Sequence, residues 1–396
     1  MLHTIRQALG ILLAITIPAF SWGYSIYIPQ GYREALMANT GLAMNATEGA
    51  AIYNPAGAGG LEAARISAGA SLINAAIFKI EAPSSIGSVS DKNPNPSFTQ
   101  IPGLITGYQK FTWGRAGFFI NTDYSMAFDK LITFSSAYGT SYTEMVANIN
   151  SFNVGFIYAN SAVLSGDLKF QYGLTTSFAM VENQQSMFSK GYVEGTNSYI
   201  SGFSNTNVKT TNLLTRLGTL LASEKYSVGA YYQPKGTSIS STYSKFAYQV
   251  ASTGSVVDES ENSGPPLLMP EAYGLGVGLQ VGENLRLYVD TNIMAPQGVD
   301  RDSFQRDRIE SLGLGGDYTL ASGTHVFAGL SHAIAKSENK TENRTLSAGF
   351  DYRISFIKNY VGFYHSSIIT PINNESGTTG SSFDWFGILL ASQYAF

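Results

Sequence analysis

Residues 24–64 read YSIYIPQGYREALMANTGLAMNATEGAAIYNPAGAGGLEAA, and this stretch decides the fold because it lacks the strand periodicity of everything after it. From Arg65 onward apolar and polar residues alternate with period two, the pattern of half-buried strands. Within the quoted stretch, Asn54-Pro55-Ala56 is flanked by Gly49, Gly57, Gly59 and Gly60. Pro55 biases Asn54 away from helix, so a helix through Glu48–Tyr53 is expected to end there. The Asn54 side chain can hold a turn by bonding nearby backbone, and the glycines allow close approach to a wall. A compact non-strand segment ahead of a strand-rich chain suggests a pore with something placed inside it. The plainer alternative is an ordinary turn into the first strand.

Residues 1–23 read as a secretory signal: Arg6 supplies the positive start, Ala8 to Phe20 the apolar run, and Ser21 and Gly23 small residues before Tyr24. A membrane anchor is disfavoured because that run falls short of the ~20 residues a spanning helix needs. Loss of Arg6 takes the formal charge from −4 to −5. Charged residues make up 13% of the chain, against roughly 25% in soluble domains. With 24 Tyr, 23 Phe and 41 Gly, the composition suits a wall that faces lipid outside and a crowded polar lumen inside. The absence of cysteine excludes a disulfide framework, a Cys-zinc site and a thiol nucleophile. No Lys/Arg cluster points to a nucleic-acid partner.

The alternation is clearest at 168–180, where Leu168, Phe170, Tyr172, Leu174, Phe178 and Met180 oppose Lys169, Gln171, Thr175 and Ser177. At 285–293, Leu285, Leu287, Val289 and Ile293 oppose Arg286, Asp290 and Asn292. At 116–128, Phe118, Ile120, Met126 and Phe128 oppose Asn121, Asp123 and Ser125. Strands are expected near 65–80, 101–110, 115–129, 145–160, 167–181, 209–222, 225–236, 270–281, 284–295, 306–319, 323–335, 344–354, 358–368 and 384–396. Short links alternate with long ones at 81–100, 130–144, 182–208, 237–269, 296–305, 336–343 and 369–383. Segment 238–251 also alternates, but counting it would give an odd total, so it is assigned to an external loop. A soluble β-sandwich is the competing reading. Long strands, few charges and the signal favour an all-β, membrane-spanning antiparallel barrel of about fourteen strands with short turns on the periplasmic side. Phe386, Ile388, Leu390, Tyr394 and Phe396 share one face of the last strand, and this alternation ending in Phe396 resembles the sorting signal of bacterial outer-membrane barrels, a resemblance that implies the barrel-assembly machinery as a partner. Outer-membrane lipid and lipopolysaccharide are then its surroundings.

Residues 41–61, GLAMNATEGAAIYNPAGAGGL, resemble the start of FadL/TodX-type outer-membrane transporters of hydrophobic compounds. Asn54, Pro55 and Ala56 match the family motif, and Gly41, Ala43 and Ala50-Ala51 match the small-residue pattern before it. The resemblance implies a monomeric barrel over 65–396 closed by an N-terminal hatch over 24–64. It further implies a ligand groove formed by the third and fourth extracellular loops, here 182–208 and 237–269. Those segments carry Met187, Phe188, Tyr192 and Phe203, then Phe246, Tyr248, Leu267 and Leu268. From there the ligand would pass to an internal site near Tyr24, Ile26 and Ile28, and leave through a lateral opening at a kinked third strand. That strand carries Asn121-Thr122-Asp123, a polar cluster that either faces water or lines a kink.

Catalytic chemistry is not expected. His325 and His332 lie seven apart in one strand and face opposite ways, so a metal pair from those two is not expected. His365 has Ser366 and Ser367 beside it, but adjacent strand residues point oppositely, and a nucleophile–base pair with an orienting partner is not expected. No cofactor is implied. Lys169, Arg286, Asp290, Asp351 and Arg353 read as paired ions of a barrel interior. The expected function is passive, hatch-gated uptake of long-chain fatty acids or aromatic hydrocarbons. A general diffusion porin or adhesion barrel with a periplasmic tail is the alternative.

Overall fold

A computed structural model describes residues 30–81, 88–91, 97–136, 139–193, 199–251, 256–264, 266–296, 308–336, 341–374 and 377–396. The expected signal and the candidate residues Tyr24, Ile26 and Ile28 lie outside these. Strands follow one another as β1 (Arg65–Glu81), β2 (Ser88–Asp91), β3 (Ser97–Phe111), β4 (Gly114–Ser136), β5 (Gly139–Ser165) and β6 (Leu168–Val193). Next come β7 (Tyr199–Ala222), β8 (Tyr226–Gln233), β9 (Thr237–Ala251), β10 (Val256–Glu261), β11 (Ala272–Val281) and β12 (Leu285–Met294). The last are β13 (Ile309–Thr319), β14 (His325–Ala335), β15 (Glu342–Ile354), β16 (Ile357–Asn374) and β17 (Gly377–Ala395).

Every pairing is antiparallel, and β17 returns to β1 from Arg65↔Ala395 to Glu81↔Gly380, which closes the sheet. Fourteen strands make the barrel; β2, β9 and β10 of the 17 add no crossing. Segment 238–251 is therefore a strand and not a loop. It pairs with the outer half of β7, Ile200–Leu213, while β8 takes the inner half, Leu217–Ala222. The next crossing strand, β11, pairs directly with β8, so the β9–β10 hairpin stands outside the spanning wall.

The central strands run far beyond a bilayer. β5, β6 and β7 have 27, 26 and 24 residues, where a tilted crossing needs about 9–11. The expected loops at 130–144 and 182–208 are mostly the outer halves of these strands. Their Ser, Asn, Gln and Thr residues suggested loop, but polar residues sustain backbone pairing equally well where both faces meet water. On β6 the outward face reads Phe170, Tyr172, Leu174, Phe178 and Met180, all exposed, and then turns polar at Glu182 and Gln184. Asn150, Glu182 and Lys209 are register partners across β5, β6 and β7, and mark the upper edge of the apolar band. Aromatic residues collect at the opposite rim, where Trp113 stacks between Phe111 and Tyr158, and Phe396 stacks on Tyr394. Such girdles suit a membrane interface. Phe396 is 61% exposed, and its N–H donates to Ala64 O at 3.1 Å.

Candidate functional site

Residues 30–64 pack against the inward faces of the strands. A single helical turn, α1 (Arg33–Leu36), is followed by 3-10 turns at Glu48–Ala51 and Pro55–Gly60. The expected helix over 48–53 is thus a tighter and shorter 3-10 turn. Ala38 and Asn39 adopt left-handed φ of 52° and 69°. That costs an alanine about 1–2 kcal/mol. The wall holds the bend, since Ala38 N–H donates to Ser347 Oγ at 2.7 Å.

The Asn54 motif ties this segment to itself and to the barrel. Asn54 Oδ1 accepts from Ala56 N at 3.2 Å, and Nδ2 donates to Leu42 O at 2.7 Å and Thr219 O at 3.0 Å. Pro55, Ala56 and Gly57 are buried, with Ala56 packed on Leu220 and Ala222. A Cβ on Gly57 would stand 2.7 Å from Met44 O, so only glycine fits there. Asn54→Ala strips the Leu42 and Thr219 carbonyls of a buried donor, a cost of about 1–3 kcal/mol. Limited proteolysis of the folded protein should then cleave within 30–64 faster than in the wild type while the barrel stays intact; equal cleavage rates would remove Asn54 from this role.

The wall residues that receive the segment were missed by sequence reasoning. Asp290 Oδ2 accepts from Gly41 N at 2.6 Å and Leu42 N at 2.8 Å, so this buried carboxylate holds backbone instead of joining the expected ion pair. Inward-facing Gly229 and Gly329 leave room for the carbonyls of Leu42 and Met37. The signal was present as alternating glycines at 274, 276 and 278 and at 313 and 315, where small inward side chains leave space for a second layer. Around the remaining circumference, Tyr32 Oη donates to Leu104 O at 2.9 Å, Tyr108 Oη to Glu48 O at 2.8 Å, and Arg115 Nε to Leu61 O at 2.7 Å.

Glu34 is fully buried in this segment and accepts from the Thr47 hydroxyl and from Tyr32 N–H. Burial raises its carboxyl above the ordinary glutamate range, against a smaller lowering by Arg33. A raised folded-state value means the folded segment holds the proton more tightly than the unfolded one. The contribution is therefore complete below the ordinary glutamate range and is lost as pH rises through the raised value. Protease protection of 30–64 should accordingly fall with rising pH across that window. Glu34→Gln should flatten the profile, and an unchanged profile would refute the assignment.

Above the segment lies a cavity of about 160 Å³, floored by Leu42, Ile52 and Tyr53 and walled by Phe119, Leu214 and Met294 on its apolar side. Asn153, Arg216, Gln233 and Asn292 line its polar side. Residues 266–270 descend along the inner face of β7 above it. Asn212 Nδ2 donates to Leu267 O at 2.9 Å, Leu267 N to Thr210 Oγ1 at 3.1 Å, and Gly236 N to Met269 O at 2.9 Å. Leu267 and Met269 belong to the same apolar cluster as Leu214 and Ile309.

The expected loop groove divides between two faces. Leu267 is buried inside, Leu268 is half-buried beside it, and Met187 packs against the inner cluster. Phe188, Tyr192, Phe203, Phe246 and Tyr248 lie on strands and point outward. Phe188, Phe203 and Tyr248 form one row across β6, β7 and β9, with the Phe203 and Phe246 rings 6.2 Å apart. Period-two parity separates Met187 from Phe188, and a loop reading concealed that parity.

The third crossing strand, β4, breaks regular pairing at the predicted cluster. Its register with β5 shifts between Thr122 and Tyr124, a bulge centred on Asp123. Its pairing with β3 stops at Leu104↔Asn121. Beyond that point β3 pairs with β1, and β4 pairs with β5 and, at 132–135, with β2. Among the described residues, the wall between 97–103 and 122–131 therefore has no ladder. Asn121 is buried at its lower end, with Thr122 half-buried beside it.

The remaining candidates are structural. His325 bonds Asp317 at 2.7 Å, while His332 faces Glu342 at 3.4 Å. Asp351 pairs with Lys358 at 2.5 Å and accepts from His325 N at 2.7 Å. No group of three potential metal ligands occurs among the described residues.

These features define a closed, fourteen-stranded antiparallel barrel with its N-terminal segment inside the lumen. Its fold is of the FadL/TodX type. The Pseudomonas putida toluene transporter TodX superposes with a TM-score of 0.63 at 12% identity, over 93% of this chain and 99% of that one. The CymD monoaromatic hydrocarbon channel gives 0.59 at 14% identity, over 93% and 98%. A Pseudomonas aeruginosa FadL homologue gives 0.54 at 13% identity, over 93% and 99%. No protein-family model and no curated protein matches the chain.

Proposed function

We propose that this chain is a non-enzymatic outer-membrane channel for passive uptake of small molecules with an apolar body. Residues 24–64 act as its hatch, and the unpaired stretch between β3 and β4 is its lateral exit. The observation that carries the reading is the conjunction of a cavity above a wall-clamped segment with a break in the wall beginning at Asn121. A ligand entering from outside would occupy the cavity and leave sideways, bypassing the segment below. The names of the structural relatives, transporters and channels for toluene and monoaromatic hydrocarbons, support the same class. A general porin fits less well, because among the described residues the Tyr32, Asn54 and Asp290 contacts hold a segment inside the lumen.

The exit can be tested by deleting Asp123. This joins Thr122 to Tyr124 and restores an uninterrupted register with Phe152 and Ser151. Uptake of a labelled monoaromatic compound by cells carrying the variant should fall by about tenfold or more, since the straightened strand closes the bulge that splays the wall. Assembly should persist, seen as heat-modifiable mobility in gels. Undiminished uptake with a folded barrel would reject exit at this point.

A further inference from the structure

We propose that the outward face of β13, β14 and β15 binds the phosphate groups of an outer-leaflet glycolipid, with Arg308, Lys336 and Arg344 as the groups that hold them. The proposal rests on the reading of the chain as an outer-membrane barrel and is independent of what the lumen carries.

Strand alternation places the site. On these strands the even-numbered residues face outward, and register partners share a face. Leu314, Leu330 and Leu346 form one exposed row across the three strands, within the apolar band. The next row toward the long connections is Leu312, His332 and Arg344, and the row after it is Glu310, Ile334 and Glu342. Arg308 and Lys336 continue the outward faces just beyond β13 and β14, with Lys336 N donating to Arg308 O at 2.8 Å. The change from leucine to charge thus falls at one height on three neighbouring strands, where lipid tails give way to headgroups.

Charge and spacing define the ligand. Glu310 Oε1 lies 2.9 Å from Arg308 Nη2 and 2.7 Å from Lys336 Nζ. Glu342 Oε2 lies 3.1 Å from Arg344 Nη2 and 3.4 Å from His332 Nε2. The two glutamates therefore hold long basic side chains in place while standing beneath them. Arg308, Lys336 and Arg344 are 47%, 54% and 66% exposed, against 33% and 35% for Glu310 and Glu342. Three permanent cations against two carboxylates leave a net charge of +1 before His332 is counted. Each base keeps donors beyond the one spent on a glutamate, and an arginine fork matches two phosphate oxygens. Arg308 and Arg344 are two strands apart, ~10 Å, so a headgroup with two phosphates spans them better than a single phosphodiester. The rest of the rim lacks this excess: Asn150, Glu182 and Lys209 stand at the band edge on β5 to β7, and Ser367 and Asp384 continue the Arg344 row on β16 and β17.

The test is native mass spectrometry of the full-length protein in detergent with a chelator present. The probes are bisphosphorylated lipid A, monophosphorylated lipid A, phosphatidylglycerol and inorganic phosphate. Bisphosphorylated lipid A should bind tightest of the four. Lys336→Gln combined with Arg344→Gln should weaken it by about thirtyfold, taking about fivefold for each base near a membrane surface. Lys336→Gln alone, with about a fivefold loss, serves if the double variant fails to assemble by heat-modifiable mobility. Lys209→Gln should leave binding unchanged, because Lys209 is several strands away and salt screens exposed charges beyond ~8 Å. Phosphatidylglycerol or inorganic phosphate binding as tightly as lipid A would overturn the proposal. So would indifference to the substitutions, an equal loss in Lys209→Gln, or binding only once magnesium replaces the chelator. Density-gradient fractionation of cell membranes checks the location separately, and recovery with the inner membrane would overturn both readings.

Discussion

A variant lacking residues 30–60 should assemble as a barrel and conduct ions continuously in planar bilayers, well above the conductance expected of the full-length protein. The wall does not depend on the segment for closure, since β1 and β17 pair from Arg65↔Ala395 upward through their own backbones. The lumen does depend on it. Gly218, Gly229, Gly313 and Gly329 face inward where a solid barrel would carry bulky side chains, and they contact Asn54, Leu42, Thr40 and Met37 instead. Eight-stranded barrels are just filled by their own side chains, and barrels of 16–18 strands leave an aqueous channel. Fourteen strands lined in part by glycine should leave a water-filled path once the segment is gone. The conductance should be ohmic and weakly selective. A deletion variant as closed as the wild type would show that the segment does not plug the barrel.

Gly229→Val should have the second-largest effect, through steric displacement of the segment rather than its removal. A Cβ at this position overlaps the Leu42 carbonyl and would come 2.9 Å from Asn54 Nδ2. The obstruction on one side is segment backbone; on the other, Gly229 is pinned in register by Leu220 and Gly276. Neither can move cheaply, and overpacking of this kind costs about 1–3 kcal/mol or more. The segment should yield first, because its hold on the wall consists of isolated hydrogen bonds whereas the strands share continuous ladders. Protease cleavage near Leu42 and bilayer conductance should both rise while the barrel stays folded. Gly316→Ala is the control, as its Cβ would stand 3.7 Å from Leu287, an ordinary contact. Equal protection of the segment in Gly229→Val and the control would contradict the close packing described above.

The bulge on the third crossing strand was legible only as a polar interruption at Asn121-Thr122-Asp123. No proline or glycine marked it, because the irregularity lies in the register with β5 rather than in a forbidden backbone angle. Residues that face the cavity were harder to place. A tally of aromatics in polar stretches selected Phe188, Tyr192, Phe203, Phe246 and Tyr248, all of which face outward. It passed over Arg216, Tyr231 and Gln233, which face the cavity. The difference in facing has one origin. Once 182–208 was read as loop, the parity that assigns each residue to a face was discarded, although β6 and β7 carry that parity almost to their tips.

By itself the sequence determined the number of crossing strands, the face each residue takes within the stretches read as strand, the outward apolar band, and the Asn54-Pro55-Ala56 turn ahead of Arg65. Each follows from a local rule: period-two alternation, proline's restriction of its predecessor, and the alternation of short with long connections. Only the tertiary structure decided what the lumen contains and where it opens. The seat of Leu42 between Gly229 and Gly276, the grip of Asp290 on two amides 248 and 249 positions away, and the wall break above Asn121 join residues that no local period relates. Closing the sheet brings them together, because the register of fourteen strands must be set before any inward residue acquires a neighbour across the lumen.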